Sequence, residues 1–339
     1  MERITATNYH NLTERLFSLK KGDLSPFEGL ALEVFNLQYG QNATYKRFVD
    51  ALRVEPANVR TIDKIPFLPI EFFKTQKLVT ETGVTNNPHV FTSSGTSQTG
   101  TSSHFVSDIG LYEQSFLKAF ELFYGKPAQY CFLALLPSYL ERQGSSLVYM
   151  AQKLIALSEN EQSNFYLHNL DELVKTISDL KQKKQKVFLL GVSYALLDLA
   201  EMGISLNENF IVMETGGMKG KRDELIKSEL HAVLKQKLNV SQIHSEYGMT
   251  ELLSQSYSKQ DGIFESPPWM KILVRDINDP FQYLAAGKTG GVNVIDLANI
   301  NSCSFIATQD LGKRYDNGTF ELMGRFDNSD IRGCNLLVE

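Results

Sequence analysis

The chain has 339 residues, 42% of them apolar and 22% charged, with a formal net charge of -5. That length supports a large hydrophobic core, and the proportions are globular rather than disordered or fibrous. The mild negative charge excludes the basic face of a nucleic-acid binder, and runs such as 131–137 fall far short of the roughly 20 apolar residues of a membrane span.

Residues 1–75 read as helical. Apolar positions crowd one side of 30–37, and 44–52 reads as another helix. The link Ile65-Pro66-Phe67-Leu68-Pro69 then predicts an ordered turn into a short helix. From 76 to 262 the texture alternates. Short apolar runs at 130–136, 186–192 and 210–214 predict buried parallel strands, and 240–243 predicts another. Helices are predicted between them at 108–123, 146–156, 171–182 and 223–238. In the last, Leu225, Ile226, Leu230, Val233 and Leu234 form one apolar stripe. From 263 to 339, strands at 270–277, 291–297, 304–308 and 319–323 alternate with turns at 287–291 and 315–318. The expected fold is α/β: a doubly wound sheet with helices, an N-terminal helical segment packed on it, and a small C-terminal β subdomain.

Cys131, Cys303 and Cys334 are odd in number and widely spaced, which excludes a disulfide framework and a Cys-x-x-Cys zinc site. Reduced cysteines and the absence of a signal-peptide pattern after Glu2 lead us to expect a soluble, cytoplasmic protein. Cys131 and Cys303 sit in apolar strand patterns and read as structural.

Two motifs carry chemistry. The run Ser93-Ser94-Gly95-Thr96-Ser97-Gln98-Thr99-Gly100 offers backbone N–H groups and hydroxyls without bulk, as phosphate oxygens require. It lacks the Gly-Lys-Ser/Thr ending of a P-loop, and taken alone it also reads as a surface loop of turn formers. The second motif is Glu246-Tyr247-Gly248-Met249-Thr250-Glu251, expected at the C-terminal end of a strand, where open α/β sheets bind ligands. There Tyr247 is suited to stack on a base, Gly248 to allow close approach, Thr250 to bond a phosphate, and Glu251 to hold Mg²⁺. Alone, it also reads as a capped loop. His104, after the first motif, and His244, before the second, are candidates for additional donors.

Together these segments resemble the adenylate-forming enzymes, which include the acyl- and aryl-CoA ligases. The Ser/Thr-Gly-rich loop matches at 93–100 and the Tyr-Gly-x-Thr-Glu motif at 247–251. Glu214-Thr215-Gly216-Gly217 matches the segment lining the adenine pocket, Thr308-Gln309-Asp310-Leu311-Gly312 the ribose-binding motif, and Gly324-Arg325-Phe326-Asp327 the hinge. The resemblance implies ATP and Mg²⁺ as cofactors. Ser93, Ser94, Gly95, Thr96, Ser97, Thr99 and Gly100 would then bind phosphate, Gly216, Gly217, Tyr247 and Gly248 the adenine, and Asp310 and Arg325 the ribose.

Two departures stand out. Thr101, Ser102 and Ser103, followed by His104, replace the Lys usual near the loop's end. The usual enzymes also continue past the hinge into a mobile lid domain bearing a catalytic Lys, whereas this sequence stops soon after Asp327, so a fold lacking that lid is expected. Acyl-protein synthetases of the LuxE type resemble the chain almost end to end. They share Ile65-Pro66-Phe67-Leu68-Pro69, Pro137-Ser138-Tyr139-Leu140-Glu141-Arg142, Gly216-Gly217-Met218-Lys219-Gly220 and the tail Arg332-Gly333-Cys334. That resemblance implies activation of a fatty acid as acyl-adenylate and acyl transfer to Cys334, with an acyl reductase or acyl-transferase as partner. Arg332 nearby would favour the thiolate. Two alternatives stay open: ligation to CoA or a carrier-protein thiol, and a non-catalytic nucleotide- or acyl-binding protein on the same fold.

Overall fold

A computed structural model describes residues 6–81, 87–93, 100–138, 140–216 and 225–325. The chain opens with helices α1 (Ala6–Ser18), α2 (Leu24–Gln41) and α3 (Ala43–Ala51), a short strand β1 (Leu68–Pro69) and the helical turn α4 (Phe72–Thr75). Strands β2 (His89–Thr92) and β3 (Ser103–Val106) come next. Then follow α5 (Ile109–Tyr124), β4 (Cys131–Leu135), α6 (Ser146–Leu157), β5 (Asn164–Phe165), α7 (Leu170–Gln182), β6 (Val187–Gly191) and α8 (Ser193–Glu201). After β7 (Phe210–Glu214) and α9 (Lys227–Leu238) the chain is mostly strand: β8 (His244–Tyr247), β9 (Ser256–Ser258), β10 (Ile263–Glu265), β11 (Met270–Arg275), β12 (Thr289–Asp296), β13 (Phe305–Arg314) and β14 (Phe320–Arg325).

The described residues form two compact units. One comprises those up to His89, residues 104–108, and those from Glu265 onward; the other comprises 90–103 and 109–264. In the first, β11, β12, β13 and β14 pair antiparallel in that order, and β1 adds to β13 in parallel. The N-terminal helices dock on this sheet through aromatic rings. Tyr45 stacks on Phe305 at 6.2 Å, and Phe35 meets Phe305 edge-on at 6.3 Å. Buried Gln38 fastens α2 by donating to Asn299 O at 2.9 Å and accepting from Ser304 N at 3.0 Å. Asn42 accepts from Thr44 N and Tyr45 N to start α3, and it donates to Ser302 O at 2.8 Å.

In the second unit β5, β4, β6, β7 and β8 run parallel, and β9 returns antiparallel to β8. Every residue of β4 and β6 is buried, as continuous apolar runs in a parallel sheet predict. Phe120 of α5 packs on Phe132 and Phe188 at 5.6 and 5.2 Å. Ser145 caps α6 and Asn169 caps α7. The expected α/β architecture of parallel strands alternating with helices is the one observed.

Three local expectations change. The helix expected over 223–238 begins at Lys227 among the described residues. Ile226 is extended with ψ 152°, and Leu225 and Ile226 are exposed, so only Leu230 and Leu234 of the apolar stripe are buried. The strand expected at 240–243 lies at His244–Tyr247 instead, because its period-2 face alternates polar side chains that an apolar count overlooks. Cys303 sits in a buried turn before β13 rather than inside a strand.

Candidate functional site

The phosphate-loop expectation is described only at its ends. Ser93 N donates to Ser102 O at 3.1 Å and Ser102 N donates to Ser93 Oγ at 2.9 Å, closing the loop's base. Gly100 is exposed with φ +91°, a conformation that favours glycine. Ser94, Gly95, Thr96, Ser97 and Thr99 lie outside the described residues, as do Gly217 and Cys334.

The C-terminal ends of β7 and β8 hold a polar centre. Glu214 and Ser245 are Cα partners across the parallel pair, and both are buried. Glu214 accepts from Lys227 Nζ, lies 3.5 Å from His231 Nε2, and takes the Gly216 N–H on Oε2 at 2.7 Å. Ser245 Oγ lies 3.3 Å from His231 Nε2. Burial by itself would raise the Glu214 pKa. The His231 hydrogen bond, the Lys227 charge and the Ser245 hydroxyl outweigh it and hold the carboxyl at about 2. Gly216, at φ +72°, turns the chain there so that its amide meets the carboxylate. This face is covered by α9, which supplies Lys227 and His231. Tyr247 is buried on the same strand face, its ring edge-on to Phe264 at 6.1 Å, with Lys227 Nζ over the Phe264 ring.

The other face of β8 packs under α5. His244 Nδ1 pairs with the Tyr124 hydroxyl at 3.2 Å, and burial lowers the His244 pKa to about 4 with help from Lys259 and His231. Glu246 keeps partial solvent contact, yet protein surrounds its carboxyl in depth. That burial and the Glu214 charge push its pKa up to about 8 despite Lys227. A Cβ at Gly248 would fall 2.3 Å from Glu246 Oε1, so glycine there gives the carboxyl its space. The chain then turns, Leu252 N donating to Met249 O at 3.1 Å, with Thr250 part-exposed and Glu251 buried. Ser254 Oγ, 3.0 Å from Ser115 Oγ of α5, anchors the turn.

In the other unit Asp310 and Arg325 are Cα partners on β13 and β14, and Arg325 Nε donates to Asp310 Oδ1 at 3.2 Å. Asp310 is buried while the Arg325 side chain is 75% exposed. His104 is buried, with Nε2 2.8 Å from Ser302 Oγ and its ring edge-on to Phe73 at 5.4 Å. Those contacts hold the imidazole in the packed interior beside Ser302 and Phe73. Cys131 and Cys303 are both buried, and burial pushes their thiols up to about 11 and about 12, far from a nucleophilic thiolate.

Among the described residues no group of three His, Cys, Asp or Glu side chains gathers to hold a metal. One carboxylate suffices for Mg²⁺ that is shared with a triphosphate, because Mg²⁺ keeps several waters and takes one or two carboxylates plus phosphate oxygens. Glu251, which follows Thr250 in the turn after β8, is a carboxylate of the kind that donor set takes. Sequence reasoning assigned no role to Glu214, Lys227, His231, Ser245 or Glu246. The signal was present in His244-Ser245-Glu246-Tyr247, a strand at a sheet's centre with polar residues on both faces.

Solved structures share this architecture. An open conformation of 2-hydroxyisobutyryl-CoA ligase in complex with 2-HIB-AMP and CoA superposes with TM-score 0.65 at 12% identity, covering 95% of this chain and 71% of that one. The same ligase in its postadenylation state gives 0.60 at 12% identity, with 96% and 69% covered. ATP-bound MatB from Rhodopseudomonas palustris gives 0.50 at 15% identity, with 70% and 47% covered, so the chain spans about half the length of the MatB structures it matches. At such identities these likenesses show the fold. Among curated proteins no relative is found. The family model of the acyl-protein synthetases, LuxE, matches residues 12–339, and the chain belongs to that family.

Proposed function

We propose that the protein activates a carboxylic acid with ATP and passes the acyl group to a thiol. In the first step a carboxylate oxygen bonds to the α-phosphorus, the bond to the bridging oxygen breaks, and pyrophosphate leaves. In the second, a thiolate attacks the acyl carbon, the bond to the AMP oxygen breaks, and AMP leaves, with the thiol proton lost to solvent. The family match over residues 12–339 carries this reading. The fold shared with an adenylate-bound ligase and an ATP-bound enzyme supports it.

In this reading the 93–100 loop and Thr250 hold the phosphates, and charge neutralisation with in-line positioning lowers the barrier. Mg²⁺, when bound at Glu251, would neutralise phosphate charge. Glu214, kept ionised, fixes the Gly216 turn through its amide, and Gly216, Gly217, Tyr247 and Gly248 frame the adenine. Asp310 and Arg325 bind the ribose hydroxyls. Cys334 is the proposed acceptor and a fatty acid the proposed substrate class, with an acyl reductase or acyltransferase taking the product. The two described cysteines are unsuited by burial.

Carboxylate-dependent exchange of labelled pyrophosphate into ATP tests the first step. Folded protein that exchanges with no acid across a broad panel overturns it. A hydroxylamine-labile acyl adduct located by mass spectrometry tests the second, and its persistence in Cys334→Ser removes Cys334 as acceptor. Acceleration by added CoA or carrier protein would move the acceptor off the chain.

A further inference from the structure

The β12–β13 ladder of the first unit is broken beside Asp310. Thr289, Gly290 and Gly291 pair with Lys313, Gly312 and Leu311, and pairing resumes with Asn293 opposite Ala307. Between those stretches Thr308, Gln309 and Asp310 of β13 face Val292 alone, so β13 bulges. Bulges recur beside active sites because they disrupt the ladder locally and re-aim a side chain. Here Arg275, the Cα partner of Gly291 on β11, supplies donors to the broken ladder. Its Nη1 donates to Val292 O at 2.8 Å and to Asn293 Oδ1 at 2.6 Å, and its Nη2 donates to Thr308 O at 2.6 Å. Thr308 Oγ1 donates to Val292 O at 2.9 Å and accepts from Asp310 N at 3.1 Å. Gln309, between them, donates to Glu71 Oε1 at 2.6 Å. A Cβ at Gly291 would fall 2.7 Å from Arg275 Cζ, so glycine there gives the guanidinium its path across β12.

We propose that Arg275 is a positioning residue for nucleotide recognition: through Thr308 it holds the bulge that presents the Asp310 carboxylate to the ribose hydroxyls. This inference rests on the assignment of Asp310 to ribose in the adenylation reading above. Arg275 is 8% exposed, and burying a guanidinium is costly. A regular ladder would pair the same carbonyls with backbone N–H groups and need no arginine. The slip of register is by two residues, which leaves the inward and outward faces of β13 unchanged on both sides of it. Its effect is therefore local, lifting 308–310 out of the ladder, and the one ribose-binding candidate of β13 lies in that segment. Burial lowers the Arg275 pKa, and interactions with Tyr283, Glu71 and Asp310 oppose that fall, so guanidinium and carboxylate are also coupled through space.

The test is calorimetric binding of ATP, and of the analogue lacking both ribose hydroxyls (dideoxy-ATP), to the full chain with Mg²⁺ present. A carboxylate that bonds those hydroxyls should make the wild type prefer ATP by about tenfold or more in Kd. Thr308→Val keeps the side chain's shape but removes the hydroxyl that takes the Asp310 amide, and Arg275→Gln removes the guanidinium. In both, the preference should fall to about twofold through weaker binding of ATP, with Kd for dideoxy-ATP unchanged. Thr308→Ser, which keeps the hydroxyl, should retain the wild-type preference. In an Asp310→Ala background Arg275→Gln should lower the preference no further. Thr308→Val is the milder change and decides the matter where Arg275→Gln fails to fold. A preference that either folded variant retains, equal weakening of both nucleotides, or a further fall in the Asp310→Ala background overturns the inference and leaves the ribose assignment standing. Equal binding of the two nucleotides by the wild type overturns the ribose assignment and this inference with it. Absence of ATP binding overturns the adenylation reading as well.

Discussion

Glu214 and Glu246 sit on neighbouring strands of one parallel sheet, and burial opposes ionisation of both. Glu214 gathers Lys227, His231, Ser245 and the Gly216 amide, and its pKa falls to about 2. Glu246, on the opposite face of β8 among tyrosines, meets chiefly desolvation and the Glu214 charge, and its pKa rises to about 8. The difference lies in which helix covers each face. A helix that brings a cation and a histidine makes a fixed anion; one that brings Tyr112 and Tyr124 makes a carboxyl that stays protonated near neutrality. The β7–β8 pair thereby carries a fixed anion on one face and a carboxyl with a raised pKa on the other.

The largest test of this contrast is Lys227→Met. Removing one partner of a buried ion pair strands the other charge, so stability should fall by about 3 kcal/mol in urea unfolding. A loss below about 1 kcal/mol would show that Lys227 does not hold Glu214 ionised. The second test uses pH. Glu246 has a folded pKa of about 8, above its ordinary 4.5, so its contribution is full below 4.5 and lost as pH rises through about 8. Glu214, shifted the other way, contributes fully above 4.5 and loses that as pH falls towards about 2. Glu246→Gln should therefore gain stability relative to wild type between about pH 5 and 8. Parallel profiles across that range would erase the contrast. The smallest effect belongs to Arg325→Ala, in the other unit. Its ion pair with Asp310 is largely solvated on the arginine side, so stability should change by under about 1 kcal/mol. If Arg325 binds ribose, KM for ATP should still rise by about tenfold, equivalent to roughly 1.4 kcal/mol. An unchanged KM would leave the pair without a nucleotide role.

Much of the second unit was legible from pattern. The buried runs became β4, β6 and β7, and the predicted helices lie between them, opened in the structure by the caps Ser145 and Asn169. The site was legible as a set of motifs but not as an electrostatic arrangement. Nothing local in Glu214 or Glu246 distinguishes a carboxyl at about 2 from one at about 8, because the distinction comes from residues on α5, α9 and β9. His104 looked like a loop donor because it follows the glycine-rich run; its pairing with Ser302, nearly two hundred positions on, is a matter of tertiary contact. The helix expected to start at 223 shows the limit of an apolar count, which includes exposed Leu225 and Ile226 while the backbone is still extended.

The sequence by itself determined the alternation of strands and helices, the glycines at turns and close approaches, and the motif set that marks the family. Those depend on periodicities and backbone preferences acting over a few residues. Tertiary structure decided which carboxyl is an anion, which histidine is buried in the core, and which polar atoms are buried without a partner. Charge and hydrogen-bond balance depend on distance in space, and only the folded chain brings Glu246 to Tyr257 and Lys227 to Glu214.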